Sequence, residues 1–119
     1  MGMTFDFDYS RHMQKQYTIA QLKKSVMPVA RRFGLKKVAV FGSAARGEMK
    51  KRSDIDLLLD VPPGTTLLDL VAMRSDFRER FGHPVDVVTY DALHPLMRDE
   101  VLQEQKILYA KKNAWDART

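Results

Sequence analysis

The sequence predicts one α/β (α+β) domain, in which a small mixed β-sheet of three to four strands packs against α-helices. Short apolar runs have the length and β-branched content of strands, and the segments between them repeat apolar residues at helical spacing. The 119 residues are enough for one modest hydrophobic core. We assign residues 17–110 to the domain, 1–16 to an N-terminal tail, either strand-like or disordered, and 111–119 to a C-terminal tail.

The first helix is predicted to begin at a capping box and to end at a glycine. Thr18 and Gln21 have capping-box spacing, and Gly34 is typical of a helix C-terminus. Apolar residues recur between them at helical spacing: Ile19, Leu22, Val26, Val29, Ala30 and Phe33. This stripe predicts a helix that faces the core, with a basic outer face. The apolar run Val38–Phe41 then predicts a buried strand.

A second strand and a second long helix follow along the chain. The strand covers residues 54–60 and ends at the turn sequence Val-Pro-Pro-Gly, residues 61–64. Thr66 is predicted to cap the helix, and Gly82 lies near its end. The predicted apolar stripe of this helix comprises Leu67, Leu70, Val71, Phe77 and Phe81.

The last third of the domain predicts a strand, a helix and a final apolar segment. Residues 85–90 are predicted to form a buried third strand that contains Asp86, and a carboxylate within such a run is costly unless it has a partner. Asp91 is predicted to cap a helix over about residues 92–105, with Pro95 in its first turn. Its apolar residues are Leu93, Leu96, Met97, Val101 and Leu102. Residues 107–109 are either a short terminal strand or a last apolar contact.

Gly42 and Ser43 directly follow the first predicted strand and end its apolar run. A pair of small residues lets backbone N–H groups approach an anion closely, and the following residues, 44–49, are able to start a short helix. Free N–H groups at such a position favour phosphate, and Ser43 adds a hydroxyl donor. The pair therefore predicts a phosphate-binding turn.

Two carboxylates share one face of the second predicted strand. Asp54 and Asp56 are two residues apart, which places them about 6 to 7 Å from each other. Ile55, Leu57 and Leu59 alternate with them on the opposite face. Carboxylate oxygens at this separation can hold a hard divalent cation. An exposed edge strand is the alternative for an Asp-x-Asp pair, and the adjoining phosphate-binding turn favours the metal site.

The run Gly-Ser-Ala-Ala-Arg-Gly-Glu at 42–48, followed by Ser-Asp-Ile-Asp-Leu at 53–57, resembles the signature of the minimal nucleotidyltransferase (MNT) family of the DNA polymerase β superfamily. The resemblance covers about residues 22–109 and implies the nucleotidyltransferase fold. It implies that Asp86 completes a catalytic metal site with Asp54 and Asp56 and that this site binds two Mg²⁺ ions. It also implies that the protein uses ATP as its substrate. The alternative is a structural Asp86 that caps a turn or pairs with an arginine.

The same resemblance implies roles for residues around the Gly-Ser turn. Gly42 and Ser43 would hold the β- and γ-phosphates of the nucleotide. Candidates for further triphosphate contacts are Arg46, Lys50 and Arg52. Arg46 could equally pair with Glu48 or Asp60.

Many members of the family are antitoxins encoded beside a HEPN-domain toxin. The resemblance thus implies transfer of AMP from ATP to a tyrosine of a HEPN toxin partner. It leaves open a non-catalytic antitoxin that acts by binding, and an aminoglycoside-type nucleotidyltransferase with a small-molecule acceptor. Three intact carboxylates argue against the pure binder. Because the chain stops soon after the predicted catalytic strands, we expect a partner protein to shape the acceptor site.

Charge and composition indicate which partners and which cellular location to expect. The net charge is +5, and Glu48 is the only acidic residue between positions 11 and 52. This basic half suits a nucleoside triphosphate or a protein partner; its few aromatics do not favour direct nucleic-acid binding. The absence of cysteine excludes disulfides and thiolate zinc sites, and no apolar run approaches the length of a membrane span, so we expect a cytoplasmic protein. The three histidines, His12, His83 and His94, lack metal-ligand spacing, and His83 is predicted to be a loop residue.

Overall fold

A computed structural model describes residues 17–49 and 53–111 of the protein. In chain order the elements are α1 (Ile19–Phe33), β1 (Lys37–Phe41), α2 (Gly42–Arg46), β2 (Ile55–Asp60), α3 (Leu67–Phe81), β3 (Val85–Thr89), a 3-10 helix (Tyr90–Ala92), α4 (Pro95–Glu104) and β4 (Lys106–Ala110). The predicted N-terminal tail, 1–16, and residues 112–119 of the predicted C-terminal tail, 111–119, lie outside the described residues. None of the helices in the described part of the chain is both long and apolar enough to cross a membrane.

The four strands form one mixed sheet in the order β3-β2-β1-β4. β1 runs antiparallel to both of its neighbours, whereas β2 and β3 are parallel and are joined through α3. In this register Asp56 stands opposite Phe41 on one side and opposite Asp86 on the other. The topology therefore brings the end of β1 beside the beginning of β2.

The main core lies between one face of the sheet and helices α1 and α3. Its fully buried members include Leu22, Val26 and Val29 of α1, Ile55, Leu57 and Leu59 of β2, and Phe77 of α3. A smaller cluster of Ala39, Leu58 and Val101 lies on the other face, where α4 covers the sheet. Each fully buried large apolar side chain stabilises the fold by about 1.5 to 3 kcal/mol. The predicted mixed α/β class, with helices packed on a small sheet, is confirmed.

Local signals in the sequence place both long helices correctly. The Thr18 hydroxyl accepts the N–H of Gln21 at 3.1 Å, and the Gln21 side chain accepts the N–H of Thr18 at 2.9 Å. Thr66 and Asp69 form the same reciprocal pair at the start of α3. The open alternative for residues 107–109 is settled, because β4 pairs with β1.

The predicted apolar stripe of α3 is partly wrong. Leu67 and Val71 are 77% and 55% exposed, whereas Phe77 and Phe81 are buried as predicted and form the core face together with Met73. These three residues recur every four positions. Leu67 and Val71 are offset from that row by two residues, which is about 200° around the helix.

The start of α4 also differs from the prediction. Asp91 lies in the 3-10 helix and does not cap α4, which begins at Pro95. The Nδ1 atom of His94 accepts the N–H of Leu96 at 3.1 Å and so caps the helix. Proline disfavours a helical residue before it, which sets the start of α4 at this point. Among the predicted apolar residues of this helix Val101 is buried, but Leu96 is exposed.

The third strand was predicted to be buried, and it is instead an edge strand of the sheet. Val85 is buried, whereas Asp86 is exposed. The sequence of β3 contains no signal for its position in the sheet, because that position depends on how many other strands pair with it, and in the described sheet β2 is its one neighbour.

Candidate active site

Gly42 lies where β1 ends and α2 begins, directly against the carboxylate of Asp56. Its φ of +71° falls in the left-handed region that glycine adopts readily. A Cβ atom at this position would stand 2.5 Å from Oδ2 of Asp56. Any residue with a side chain would therefore displace that carboxylate, so glycine is required for the turn and the acidic strand to meet.

The three predicted catalytic carboxylates come from two neighbouring strands. Asp54 immediately precedes β2, Asp56 is the second residue of β2, and Asp86 is the second residue of β3. The parallel register sets Asp56 directly beside Asp86, so that both side chains lie on the same face of the sheet. Asp54 and Asp56 are half-buried, and Asp86 is exposed at the edge.

Burial, together with nearby negative charge, raises the pKa of Asp56 from 3.8 to about 6. Burial of the carboxylate is the largest cause. The negative charges of Asp86, Asp54 and Glu104 add to it, while the positive charge of Arg46 acts in the opposite direction. The site thus holds a carboxylate that is poorly compensated by the protein alone.

This donor set has the chemistry of a magnesium site. Mg²⁺ takes carboxylate oxygens, and a cation beside Asp56 would offset the burial and the repulsion that raise its pKa. Among residues 17–49 and 53–111, no three acidic or histidine side chains are already gathered closely enough to hold a metal ion. As oxygen donors, Asp54, Asp56 and Asp86 have the ligand type that the ion prefers, and their assignment as its ligands stays a prediction.

Arg46, at the end of α2, lies between two carboxylates. Its Nε donates to Oε1 of Glu48 and its Nη1 donates to Oε2 of Glu104, both at 2.8 Å. The predicted alternative of a pair with Glu48 is thus present. Contact of Arg46 with a triphosphate stays a prediction.

Glu104 is a residue of this site that sequence analysis missed. Its Oε1 accepts the backbone N–H of Gly42 at 2.7 Å, so this N–H is not open to a phosphate in the present arrangement. Nothing near Glu104 in the sequence marks it, because Gly42 and Arg46 lie 62 and 58 residues away. Ser43 is half-buried in α2 beside Gly42. Lys50 and Arg52 lie outside the described residues.

His83 contacts the backbone of the segment that leads into Asp54 and β2. It lies in the predicted loop between α3 and β3, but it is buried, and its Nε2 lies 2.6 Å from the carbonyl oxygen of Ser53. Nε2 must carry the proton in this bond, since a carbonyl oxygen only accepts. The contact fixes the backbone immediately before Asp54, and sequence analysis did not assign this role.

The chain matches the nucleotidyltransferase domain family over residues 22–109, a span that includes the Gly-Ser turn and all three aspartates. A Methanocaldococcus jannaschii protein whose provisional name is protein adenylyltransferase is 42% identical over 86 residues, which are 72% of this chain and 92% of that relative. A solved structure provisionally described as a minimal nucleotidyltransferase is 35% identical, with a TM-score of 0.67, and the match covers 77% of this chain and 97% of that one.

A more distant solved structure shares the fold. It belongs to a complex of a tri-AMPylated Shewanella oneidensis HEPN toxin with an MNT antitoxin. The match has a TM-score of 0.63 at 14% identity and covers 84% of this chain and 79% of that one. At this identity the likeness extends to the fold alone.

We predict that Asp56→Asn makes the metal-free protein more stable at neutral pH. The pKa of Asp56 is about 6 in the folded protein and 3.8 ordinarily, so ionisation costs folding stability as the pH rises from about 4 through 6. Allowing for solvent screening, we expect a gain of about 1 to 2 kcal/mol at pH 7.5 that disappears near pH 4. Urea denaturation in a chelating buffer across this range measures it.

The matched control is Asp60→Asn, which changes a residue of the same strand that stands opposite Lys37. It should not reproduce a gain that depends on pH in this way. An Asp56→Asn gain of the same size at pH 4 and pH 7.5 would contradict the electrostatic explanation.

Proposed function

Because this chain belongs to the nucleotidyltransferase domain family, we propose that it transfers AMP from ATP, with Mg²⁺, to a tyrosine hydroxyl of a HEPN-domain toxin. In this proposal the chain is the antitoxin of that toxin. The observation that carries the proposal is the contact of the Gly42 turn with Asp56, which itself lies beside Asp86. This contact supports the proposal because it would join the proposed phosphate-binding turn and the proposed metal-binding carboxylates in one site.

In the proposed reaction the acceptor hydroxyl attacks the α-phosphorus of ATP. A bond forms between the hydroxyl oxygen and that phosphorus, the bond from the phosphorus to the bridging oxygen breaks, and pyrophosphate leaves. Mg²⁺ held by Asp54, Asp56 and Asp86 would neutralise charge on the attacking and leaving oxygens. Asp86 is exposed at the sheet edge, where it can orient the incoming hydroxyl or accept its proton. Ser43 and Arg46 provide donors for the triphosphate.

Two kinds of observation support a protein as the acceptor. The Methanocaldococcus jannaschii relative carries the name protein adenylyltransferase, and the Shewanella oneidensis complex pairs an AMPylated HEPN toxin with an MNT antitoxin. The chain also exposes apolar side chains on α3 that the core does not use. Clustered exposed apolar residues are typical of a protein interaction surface.

We define the α3 surface as Leu67, Leu68 and Val71, all more than half exposed. It continues into a cleft of about 210 Å³ between α3 and β3, whose walls include Val87 and Asp86. A partner seated on the α3 surface would therefore reach the sheet edge that carries Asp86. We propose the HEPN toxin as its occupant.

Label transfer from ATP tests the proposed reaction. We expect the α-phosphate label of ATP, but not the γ-phosphate label, to appear on the toxin in the presence of Mg²⁺. Asp56→Asn should lower transfer at least a hundredfold, because it removes a proposed metal ligand. Asp60→Asn, on the same strand, should retain transfer. A tight complex with the toxin and no α-label from the wild-type protein would instead indicate inhibition by binding alone.

Two glycines with the same backbone conformation separate strain from site geometry. Gly42 and Gly47 have φ values of +71° and +70°, so alanine costs each about 1 to 2 kcal/mol of conformational strain. A Cβ at Gly47 has no heavy atom within 4 Å, whereas one at Gly42 would displace Asp56. We expect both variants to lose similar stability and only Gly42→Ala to lose transfer, by at least tenfold. Equal transfer rates in the two variants would refute the requirement for this contact.

A charge on the α3 surface tests the docking proposal. Leu68 is 81% exposed, so Leu68→Asp should fold normally yet weaken toxin binding at least tenfold, because it would bury an unpaired carboxylate in the complex. Leu96→Asp makes the same change at an exposed leucine of α4 and serves as the control. Titration calorimetry with the purified toxin measures both. Undiminished binding by Leu68→Asp, or equal losses in the two variants, would place the interface elsewhere.

A further inference from the structure

Glu104 joins the last turn of α4 to the Gly42 turn through both of its carboxylate oxygens. Oε1 accepts the backbone N–H of Gly42 at 2.7 Å, and Oε2 accepts Nη1 of Arg46 at 2.8 Å. The Glu104 side chain is only 20% exposed. One side chain on α4 therefore binds both the Gly42 N–H and the Arg46 guanidinium, which lie about 60 residues earlier in the sequence.

These bonds are the strong kind of hydrogen bond, since both involve a charged group. Burial alone would raise the pKa of Glu104, but the bonds from Arg46 and Gly42 hold it below its ordinary value. The carboxylate is therefore ionised throughout the neutral range and keeps its hold on both donors. The exposed Glu48 completes the arrangement by accepting Nε of Arg46.

The two carboxylates fix the direction of the Arg46 guanidinium without exhausting it. A guanidinium has five N–H donors, and the described bonds use two of them. The Arg46 side chain remains 47% exposed, so it is accessible to an incoming anion. Its positive charge also reaches Asp56, whose pKa it lowers.

We propose that Glu104 is a positioning residue for nucleotide binding: it anchors the Gly42 turn through the Gly42 N–H, and it orients the Arg46 guanidinium, whose remaining N–H donors would receive the triphosphate. This inference rests on the proposed function. Glu104 does not touch the reacting atoms in this role. It acts by removing the freedom that Arg46 and the Gly42 turn would otherwise lose on binding the nucleotide.

Variants at Glu104 separate this role from simple support of the fold. Glu104→Ala removes both bonds, whereas Glu104→Gln keeps an oxygen able to accept the N–H of Gly42 but loses the ion pair with Arg46. Glu100→Ala, one turn earlier on α4 at an exposed position, is the matched control. Binding of the non-hydrolysable analogue AMP-PNP with Mg²⁺ is measured by calorimetry, and exchange of the Gly42 amide hydrogen is measured by NMR.

We expect Glu104→Ala to weaken analogue binding about tenfold, Glu104→Gln to recover part of that loss, and Glu100→Ala to match the wild type. The Gly42 amide should exchange faster in Glu104→Ala and at an intermediate rate in Glu104→Gln.

Tighter binding by Glu104→Ala would overturn the inference, because it would mean that the carboxylate competes with the triphosphate. Unchanged binding combined with faster Gly42 exchange would also overturn it and leave Glu104 a purely structural link. A wild-type protein that binds no Mg²⁺–AMP-PNP would instead refute the proposed function itself, together with this extension of it.

Discussion

The contact between Gly42 and the carboxylate of Asp56 is the constraint on which the site depends. Antiparallel pairing sets Phe41 opposite Asp56, so the chain must turn at Gly42, directly beside the Asp56 carboxylate. A left-handed glycine satisfies both demands, because it reverses the chain and contributes no side chain. The Gly-Ser turn and the acidic end of β2 are therefore neighbours as a consequence of sheet pairing.

That proximity brings a concentration of like charge, which the fold has to tolerate. Burial and three neighbouring carboxylates disfavour the ionised form of Asp56, and Arg46 opposes them only in part. The compensation lies on the opposite face of the sheet, where α1 and α3 bury the apolar residues of β2. A strand with one face in the core and the other in an acidic site thus links fold stability to site chemistry.

Sequence patterns predicted the parts of this protein that depend on neighbouring residues. Both capping boxes lie within four residues, and the alternation along β2 separates its acidic and apolar faces as predicted. Sequence analysis did not identify the roles of Glu104 and His83, because their partners, Gly42 and Ser53, lie far from them in the sequence. The folded sheet and α4 bring these residues together. The exposure of Leu67 escaped for a related reason, since an apolar stripe does not specify how far around a helix the core extends.

The strand order also has a consequence for synthesis of the protein. β1 lies in the middle of the sheet, yet its neighbour β4 leaves the ribosome after the other three strands of the described chain, and Glu104 emerges just ahead of β4. Until then the nascent chain carries β1 with one open edge and a Gly42 turn whose N–H lacks its acceptor, the Glu104 carboxylate. Open edges invite pairing with other chains and attract chaperones. Pairing of β4 with β1 and the contacts of Glu104 with the candidate site therefore form together, late in synthesis, and a copy terminated before Glu104 lacks both.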